Sequence, residues 1–191
     1  GETRRALVRM ERTAVARASL VIYASEWAAQ ATRQHYGLDE TRVKVVPWGA
    51  NLDVHPSLPD VERLIQARPS TPCRLVFCGL DWARKRGDVV IAIAETLNRR
   101  GVPTELTLIG ASPPSARSLP PFVKSLGFFD MATPEGRRQI DEAIASSHFL
   151  LLPSRAETFG HVLCEANAFG VPCLVTAVGR MPTAIRDGVN G

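Results

Sequence analysis

The sequence predicts an α/β protein whose main part is a doubly wound parallel sheet, preceded by a fragment of a second α/β domain. Three observations carry that expectation. Short, non-alternating apolar runs such as 74–79, 104–110 and 148–154 read as strands buried on both faces. Helical patterns separate these runs, as βα units require. A stretch from 50 to 72 carrying Pro56, Pro59, Pro69 and Pro72 divides this series from a shorter, earlier one.

In order along the chain, residues 1–19 read as a charged amphipathic helix and SLVIYAS (19–25) as a strand. Ser25 is a plausible N-cap for a helix over 26–36, which Gly37 stops. VKVVPWG (43–49) is a second strand, and the proline-rich stretch after it is expected to be a linker with one helical turn around 60–67. The pattern then restarts. RLVFCG (74–79) is a strand, 87–100 a helix and TELTLIG (104–110) a strand, followed by a loop with Pro113, Pro114, Pro120 and Pro121. FVKSLGFF (122–129) is the next strand, and Thr133 with Pro134 opens another helix. HFLLLPS (148–154) and PCLVTA (172–177) are strands around a helix over 160–169, and a short helix around 181–187 closes the series.

Hydrophobic residues make up 45% of the 191 positions and charged ones 22%, a folded rather than a disordered composition. The longest apolar runs are too short to cross a bilayer, and no signal-peptide pattern opens the chain. The first residue is not Met and the last, DGVNG, form a bare turn, so both ends are expected to be cuts in a longer protein. A net charge of +4 suits phosphate-bearing ligands or an anionic membrane surface. There is no helix-turn-helix and no basic strand interleaved with aromatics, so nucleic acid is not the expected partner. The four cysteines, Cys73, Cys78, Cys164 and Cys173, lack metal-like spacing and lie in or beside apolar segments, which fits a reducing cytoplasm.

In such sheets ligands bind beyond the carboxyl ends of the strands, so the loops after Gly79, Gly110, Phe128 and Ser154 matter most. In CGLDWARKRGD (78–88), Gly79 and Gly87 flank Arg84, Lys85 and Arg86 just before a helix. Cations there can hold a diphosphate, although a solvated Arg-rich turn is the plainer reading of this segment alone. The second constellation is stronger. Within PSRAETFGHVLCEANAFGVP (153–172), a strand ends at Ser154 and Gly160 opens a helix, leaving free N–H groups at its start. Glu157 precedes that helix, and Glu165 lies inside it among Leu163, Cys164, Ala166 and Ala168. A carboxylate on so apolar a helix must reach a cleft, a partner or water, and carboxylates suit the hydroxyls of a sugar or ribose.

The segment Glu157–Glu165 resembles the signature of glycosyltransferase family 4, a GT-B type family of retaining enzymes in which two Glu stand at this separation. The likeness extends to Pro153–Ser154, Phe159–Gly160, Ala166, Ala168, Gly170, Pro172 and the closing DGVNG. CGLDWARKRGD is similar to the family's phosphate loop, and VKVVPWGANLD (43–53) to its interdomain hinge. The resemblance implies that 1–50 is the tail of an amino-terminal, acceptor-side domain, 51–72 the interdomain linker, and 73–191 the donor-binding domain, truncated at its end. It implies a UDP-, GDP- or ADP-sugar donor, an unknown acceptor and transfer with retention of anomeric configuration. Glu165 would hold the nucleotide ribose and Glu157 the hydroxyls of the transferred sugar. Backbone N–H groups from Phe159 to Leu163 would contact sugar or diphosphate, and Lys85, with an Arg, would neutralise the leaving diphosphate. The implied catalytic set is thus Glu157, Lys85 and Arg84. The substrate-binding set is Glu165, Thr158, Phe159, Gly160, His161, Val162, Leu163, Ser154 and Gly79. No metal and no cofactor are implied, and the chain has no Asp-x-Asp pair. A cytoplasmic protein is expected, with contact at the inner membrane face left open for the full-length chain.

Three positions depart from the family pattern. Leu80 stands where the family usually has Arg directly after the loop Gly, so Arg84 or Arg86 is the candidate replacement. Arg86 rather than Gly follows Lys85, and the usual Gly-Gly after the last strand is Gly179–Arg180, whose Arg is expected to project toward donor or acceptor. None of His35, His55, His148 or His161 matches the family's amino-terminal His motif. A binding or regulatory module without transferase activity is therefore the alternative reading, motivated by Leu80 and by the amount of chain outside the donor domain. A dinucleotide-dependent oxidoreductase also suits the sheet, but no Gly-x-Gly-x-x-Gly follows a strand.

Overall fold

The computed structural model describes residues 2–110, 113, 118–157 and 160–191. They form two compact units, Gly1–Trp48 and Gly49–Gly191.

In the smaller unit, helix α1 (Glu2–Arg17) leads to strand β1 (Val21–Tyr23), helix α2 (Glu26–Tyr36), a turn of 3-10 helix and strand β2 (Val43–Val45). The Ser25 hydroxyl accepts from Ala28 N at 3.3 Å, capping α2 where the sequence placed its start. β1 and β2 pair in parallel with Val21 opposite Val43. Ala29 and Val43 make the small core under α2.

The larger unit opens with helix α3 (Leu58–Ala67), which is longer than the single turn expected around 60–67. A capping box explains the difference: Asp60 N donates to Ser57 Oγ, and the Asp60 carboxylate accepts from Ser57 N at 3.0 Å. Pro59 falls in the first turn, where its missing N–H costs nothing. Beyond α3, the Arg68 guanidinium donates to Ala145 O, Gly170 O and Phe169 O at 3.2, 2.8 and 2.7 Å, satisfying the ends of two other helices.

The chain then runs through β3 (Cys73–Gly79), a four-residue helix α4 (Trp82–Lys85), α5 (Gly87–Arg99), β4 (Thr104–Gly110) and β5 (Val123–Gly127). It continues through α6 (Pro134–Ala145), β6 (Phe149–Leu152), α7 (His161–Ala168), β7 (Cys173–Val175) and α8 (Met181–Ala184). α4 falls in what reads as loop, because Asp81 Oδ1 caps it through Arg84 N at 3.0 Å. The five strands are all parallel, in the order β5-β4-β3-β6-β7. β3 is central, with Val76 opposite Thr107 on one side and Leu150 on the other. From it the sheet grows one way through β4 and the other way through β6. Right-handed crossovers in opposite directions place α5 on one face and α6 and α7 on the other. Val76, Phe77, Leu106, Leu108, Leu150 and Leu152 fill the interior, and β3 and β6, the strands buried on both faces, are the ones that read as nearly unbroken apolar runs. The order of strands reverses between β3 and β6, and a crevice opens there at their carboxyl ends.

Candidate functional site

The loops after β3 and β6 meet at that crevice and are stitched together by their backbones. Arg155 N donates to Arg84 O at 2.9 Å, and Arg84 Nη1 donates to Ala156 O at 2.8 Å. The turn of α4 thus presents Lys85 and Arg84 to Glu157, whose Oε2 lies 3.4 Å from Lys85 Nζ and 3.4 Å from Arg84 Nη1. Glu157 is 7% exposed and Lys85 12%, so this pair is shielded far more than a surface ion pair. Gly79 makes the geometry possible: a Cβ there would stand 2.1 Å from Lys85 Cδ. The lysine stem lies across the end of β3 in the space a side chain would occupy. Arg84 divides its guanidinium between Asp81, Ala156 O and Glu157. Arg86 is the left-handed residue between α4 and α5, and Lys85 is the residue of the Arg84–Lys85–Arg86 run that lines the cleft.

A cleft of about 570 Å³ extends from this pair, within the range of small-molecule sites. Gly79, Leu80, Lys85, Glu157, Gly160, His161, Val162 and Glu165 line it together with Asn51, Cys78, Ile109, Gly110, Phe128 and Phe129. Gly160 sits at φ 65° as the residue before α7, a conformation that admits glycine at little cost, and starts the helix so that His161 and Val162 face the cleft. Leu163 is different: its side chain is buried in the core and its N–H donates to Gly160 O at 3.0 Å. Ser154 is also buried, below the cleft rather than on it, and its Oγ has no hydrogen-bond partner among the described residues. Thr158 and Phe159 lie outside the described residues.

Glu165 enters from the second turn of α7 and is only 5% exposed. Burial pushes its carboxyl up to about 7, with Asp141 adding to the effect and Arg137 and a hydrogen bond from the Asn51 backbone opposing it. Asp141 is itself raised by burial. The Cys78 thiol is pushed up to about 11 by burial, so it stays protonated and acts as apolar wall. His161 is shifted down by burial and by the charge of Arg180, which favours the neutral ring. The side chain of Arg180 is 1% exposed and packs with Nη2 3.8 Å from Cys164 Sγ. It is buried beside Cys164 of α7, and its charge also reaches His161 on the cleft wall.

The loop after Phe128, marked by the sequence, contributes the aromatic wall of Phe128 and Phe129; sequence reasoning assigned no site role to Asn51, Arg137 or Asp141. The i, i+4 spacing of Arg137 and Asp141 along α6 was the available signal, but only the fold shows that this face of α6 looks toward Glu165.

The sequence of this α/β unit matches the family model described as "Glycosyl transferases group 1" over residues 72–191. The chain belongs to the group 1 glycosyl transferases. Among relatives of this group 1 chain is D-inositol 3-phosphate glycosyltransferase of Mycolicibacterium smegmatis, 30% identical over 190 residues, covering 95% of this chain and 43% of that protein. The enzyme of the same name from Streptomyces scabiei is 32% identical over 187 residues, covering 90% and 41%. The chain thus spans less than half the length of these curated relatives. The fold is that of GT-B glycosyltransferase structures. Sucrose-phosphate synthase from Thermosynechococcus elongatus superposes with a TM-score of 0.66 at 23% identity, over 96% of this chain and 46% of that one. Anabaena HepE, solved with UDP and glucose, gives 0.62 at 23% identity, over 91% and 48%.

Proposed function

We propose that this group 1 transferase chain supplies the nucleotide-sugar site of a retaining sugar transfer, with Glu165 gripping the ribose and Glu157 the sugar. One observation carries the reading: a shielded Glu157–Lys85 pair and a buried Glu165 line one cleft at the point where the strand order reverses. Ribose hydroxyls donate to a carboxylate, and a diphosphate placed between them meets Lys85 and the start of α7. HepE, a structural neighbour, was solved with UDP and glucose, which is consistent with a UDP-sugar here.

In the transfer itself, the bond from the anomeric carbon to the diphosphate oxygen breaks and the electron pair leaves with the diphosphate. Lys85 stabilises that charge as it develops, in a shielded site where a fixed cation is worth most. The acceptor hydroxyl bonds to the anomeric carbon on the face the diphosphate vacates and gives its proton to the departing diphosphate oxygen on that face, so the configuration is retained. No metal ion has a role in this scheme. We assign transfer to the full-length protein and donor recognition to residues 49–191.

Leu80 favours a second reading, a donor-binding module without turnover, since it leaves the diphosphate one cation short of the family pattern. A thermal-shift panel of UDP-, GDP- and ADP-glucose tests the site, with Glu165→Ala as control. Stabilisation by one nucleotide class, weakened in the variant, is expected; no shift with any of the three overturns the donor site. Sugar transfer by the full-length protein, lost on Glu157→Ala, decides between enzyme and module.

A further inference from the structure

One guanidinium outside the expected site connects the start of the larger unit to the donor cleft. Arg137, on α6, donates through Nη1 to Asn51 O at 2.9 Å and through Nη2 to Met131 O at 3.2 Å. Its Nε lies 3.1 Å from the Asp53 carboxylate. The fork is mostly shielded, and both Asn51 and Met131 are cleft residues. On its other edge, the Asn51 backbone bears on the Glu165 carboxyl and opposes its upward shift, and the two residues line the same cleft. The path is short: Arg137 holds the Asn51 carbonyl, and Asn51 and Glu165 share one wall.

We propose that Arg137 is a positioning residue of the donor site, which fixes the 51–53 segment over Glu165 and sets that carboxylate ready to receive ribose hydroxyls. The proposal rests on the ribose role given to Glu165 above. Its physical basis is that a buried carboxylate stays charged only if neighbouring dipoles and charges offset the loss of water. The groups facing Glu165 are few. Asp141 on α6 opposes its ionisation; Arg137 on α6 and the Asn51 backbone support it. Lys85 and Glu157, paired with each other, and His161 and Cys78 complete the charged and titratable wall of the cleft. Asp53 bears on Arg137 and Asp141. Arg137 is thus a cation that supports the charged form from the α6 side, and it also fixes the Asn51 backbone that does the same. Lysine could supply the charge but not three separate anchors, because its ammonium has no planar fork.

The test compares the full chain with Arg137→Gln, Arg137→Lys and the neighbouring Arg138→Gln. Arg138 pairs with Glu135 and Glu142 on the exposed side of α6 and serves as the control. The Glu165 carboxyl is titrated by carbon-13 NMR in the nucleotide-free protein. Affinities for UDP, GDP and ADP are then measured from pH 6 to 9. Arg137→Gln is expected to raise the Glu165 midpoint by about one pH unit. It should weaken the best-binding nucleotide about threefold at pH 7.5 through that shift alone, as follows from one unit on a midpoint near 7. A further, pH-independent loss from the released Asn51 should persist at pH 9. Arg137→Lys is expected to restore the midpoint and keep the pH-independent loss, while Arg138→Gln changes neither. An unchanged Glu165 midpoint in Arg137→Gln overturns the proposal, as does a nucleotide affinity that matches the parent at every pH. If the midpoint moves but no nucleotide binds the parent chain, the donor reading fails and the positioning role falls with it. The titration shows that the failure lies with the ribose and not with the influence of Arg137 on Glu165. If Arg137→Gln unfolds, Asp53→Asn and Arg137→Lys are read in its place. Asp53→Asn is expected to lower the midpoint by relieving Arg137 of a competing carboxylate, and Arg137→Lys to keep the parent midpoint with weaker nucleotide binding; an unmoved midpoint in Asp53→Asn, or parent affinity at every pH in Arg137→Lys, overturns the proposal.

Discussion

Lys85 Nζ stands 3.4 Å from Glu157 Oε2, a contact between loops that follow two different strands and are joined by no shared helix. Each group gives the other a partner in a place where water is largely excluded; Glu157 keeps Arg84 if Lys85 is removed, whereas removing Glu157 takes from the shielded Lys85 ammonium the carboxylate that offsets its desolvation cost. A donor diphosphate would compete for the lysine, and a sugar would compete for the carboxylate.

Replacing Glu157 by Gln should therefore lower transfer by the full-length protein by about a hundredfold, while nucleotide binding falls much less. Steady-state rates set beside calorimetric affinities measure the two separately. Equal losses in both would mean that Glu157 serves ground-state binding alone.

Lys85→Met should weaken UDP, GDP or ADP, whichever binds, and leave the matching nucleoside almost unchanged. Its effect should also flatten the salt dependence of binding, since a phosphate contact is what salt screens. A nucleoside that loses as much as the diphosphate would place Lys85 elsewhere in the mechanism.

Leu80 is 69% exposed on the cleft rim, where the group 1 pattern usually has a cation. Leu80→Arg should tighten diphosphate binding several-fold, as one added charge-assisted hydrogen bond allows. It should leave thermal stability within about 0.5 kcal/mol, since the position is open to solvent.

The pH dependence of stability follows from Glu165. Its carboxyl is raised in the folded chain to about 7 from an ordinary value of 4.5. A group raised on folding contributes its stability in full below the unfolded value and loses it as pH rises through the folded one. The nucleotide-free protein should accordingly lose at most about 3 kcal/mol between pH 4.5 and 7.5 from this group. In Glu165→Gln that slope should be absent, and the variant should be the more stable protein at pH 8. A denaturation series at matched ionic strength checks both points.

Arg68 offers a purely structural comparison. Its three carbonyl acceptors cap the last turns of α6 and α7. Arg68→Ala should cost about 2–3 kcal/mol in urea unfolding, because it leaves part-buried carbonyls without donors. The folded fraction should bind nucleotide as before.

The fold was readable where local chemistry and burial agree. Thr133 with Pro134 marks the start of α6, and the unbroken run at 149–152 coincides with β6, because a strand buried on both faces has no alternation to hide. The two Glu of the cleft stood out because Gly160 opens a helix too apolar to carry Glu165 on a solvent face. Other parts were opaque for physical reasons. The prolines around α3 read as linker, since Pro signals a break unless the Ser57–Asp60 cap beside it is weighed. α4 is a single turn held by Asp81, too short to leave a periodicity. Asn51, Arg137 and Asp141 become neighbours of Glu165 only through packing, over separations in sequence that no local pattern reports. Arg180 is buried beside Cys164, a placement that packing and not local pattern determines.

The backbone stitch from Arg155 to Arg84 also has a consequence for how the molecule comes into being. As the chain leaves the ribosome, β3 can zip onto β4 once residue 110 has emerged, because that pairing needs only the intervening α5. The cleft cannot exist at that stage, since its other wall is still unsynthesised. It closes when β6 slots in on the opposite flank of β3 and carries residues 153–157 to α4, one of the most distant pairings the sheet contains. Distant pairings come late in folding. The pocket is thus among the last parts to take shape, and an intermediate that has its early strands in place still has nowhere to hold a ligand.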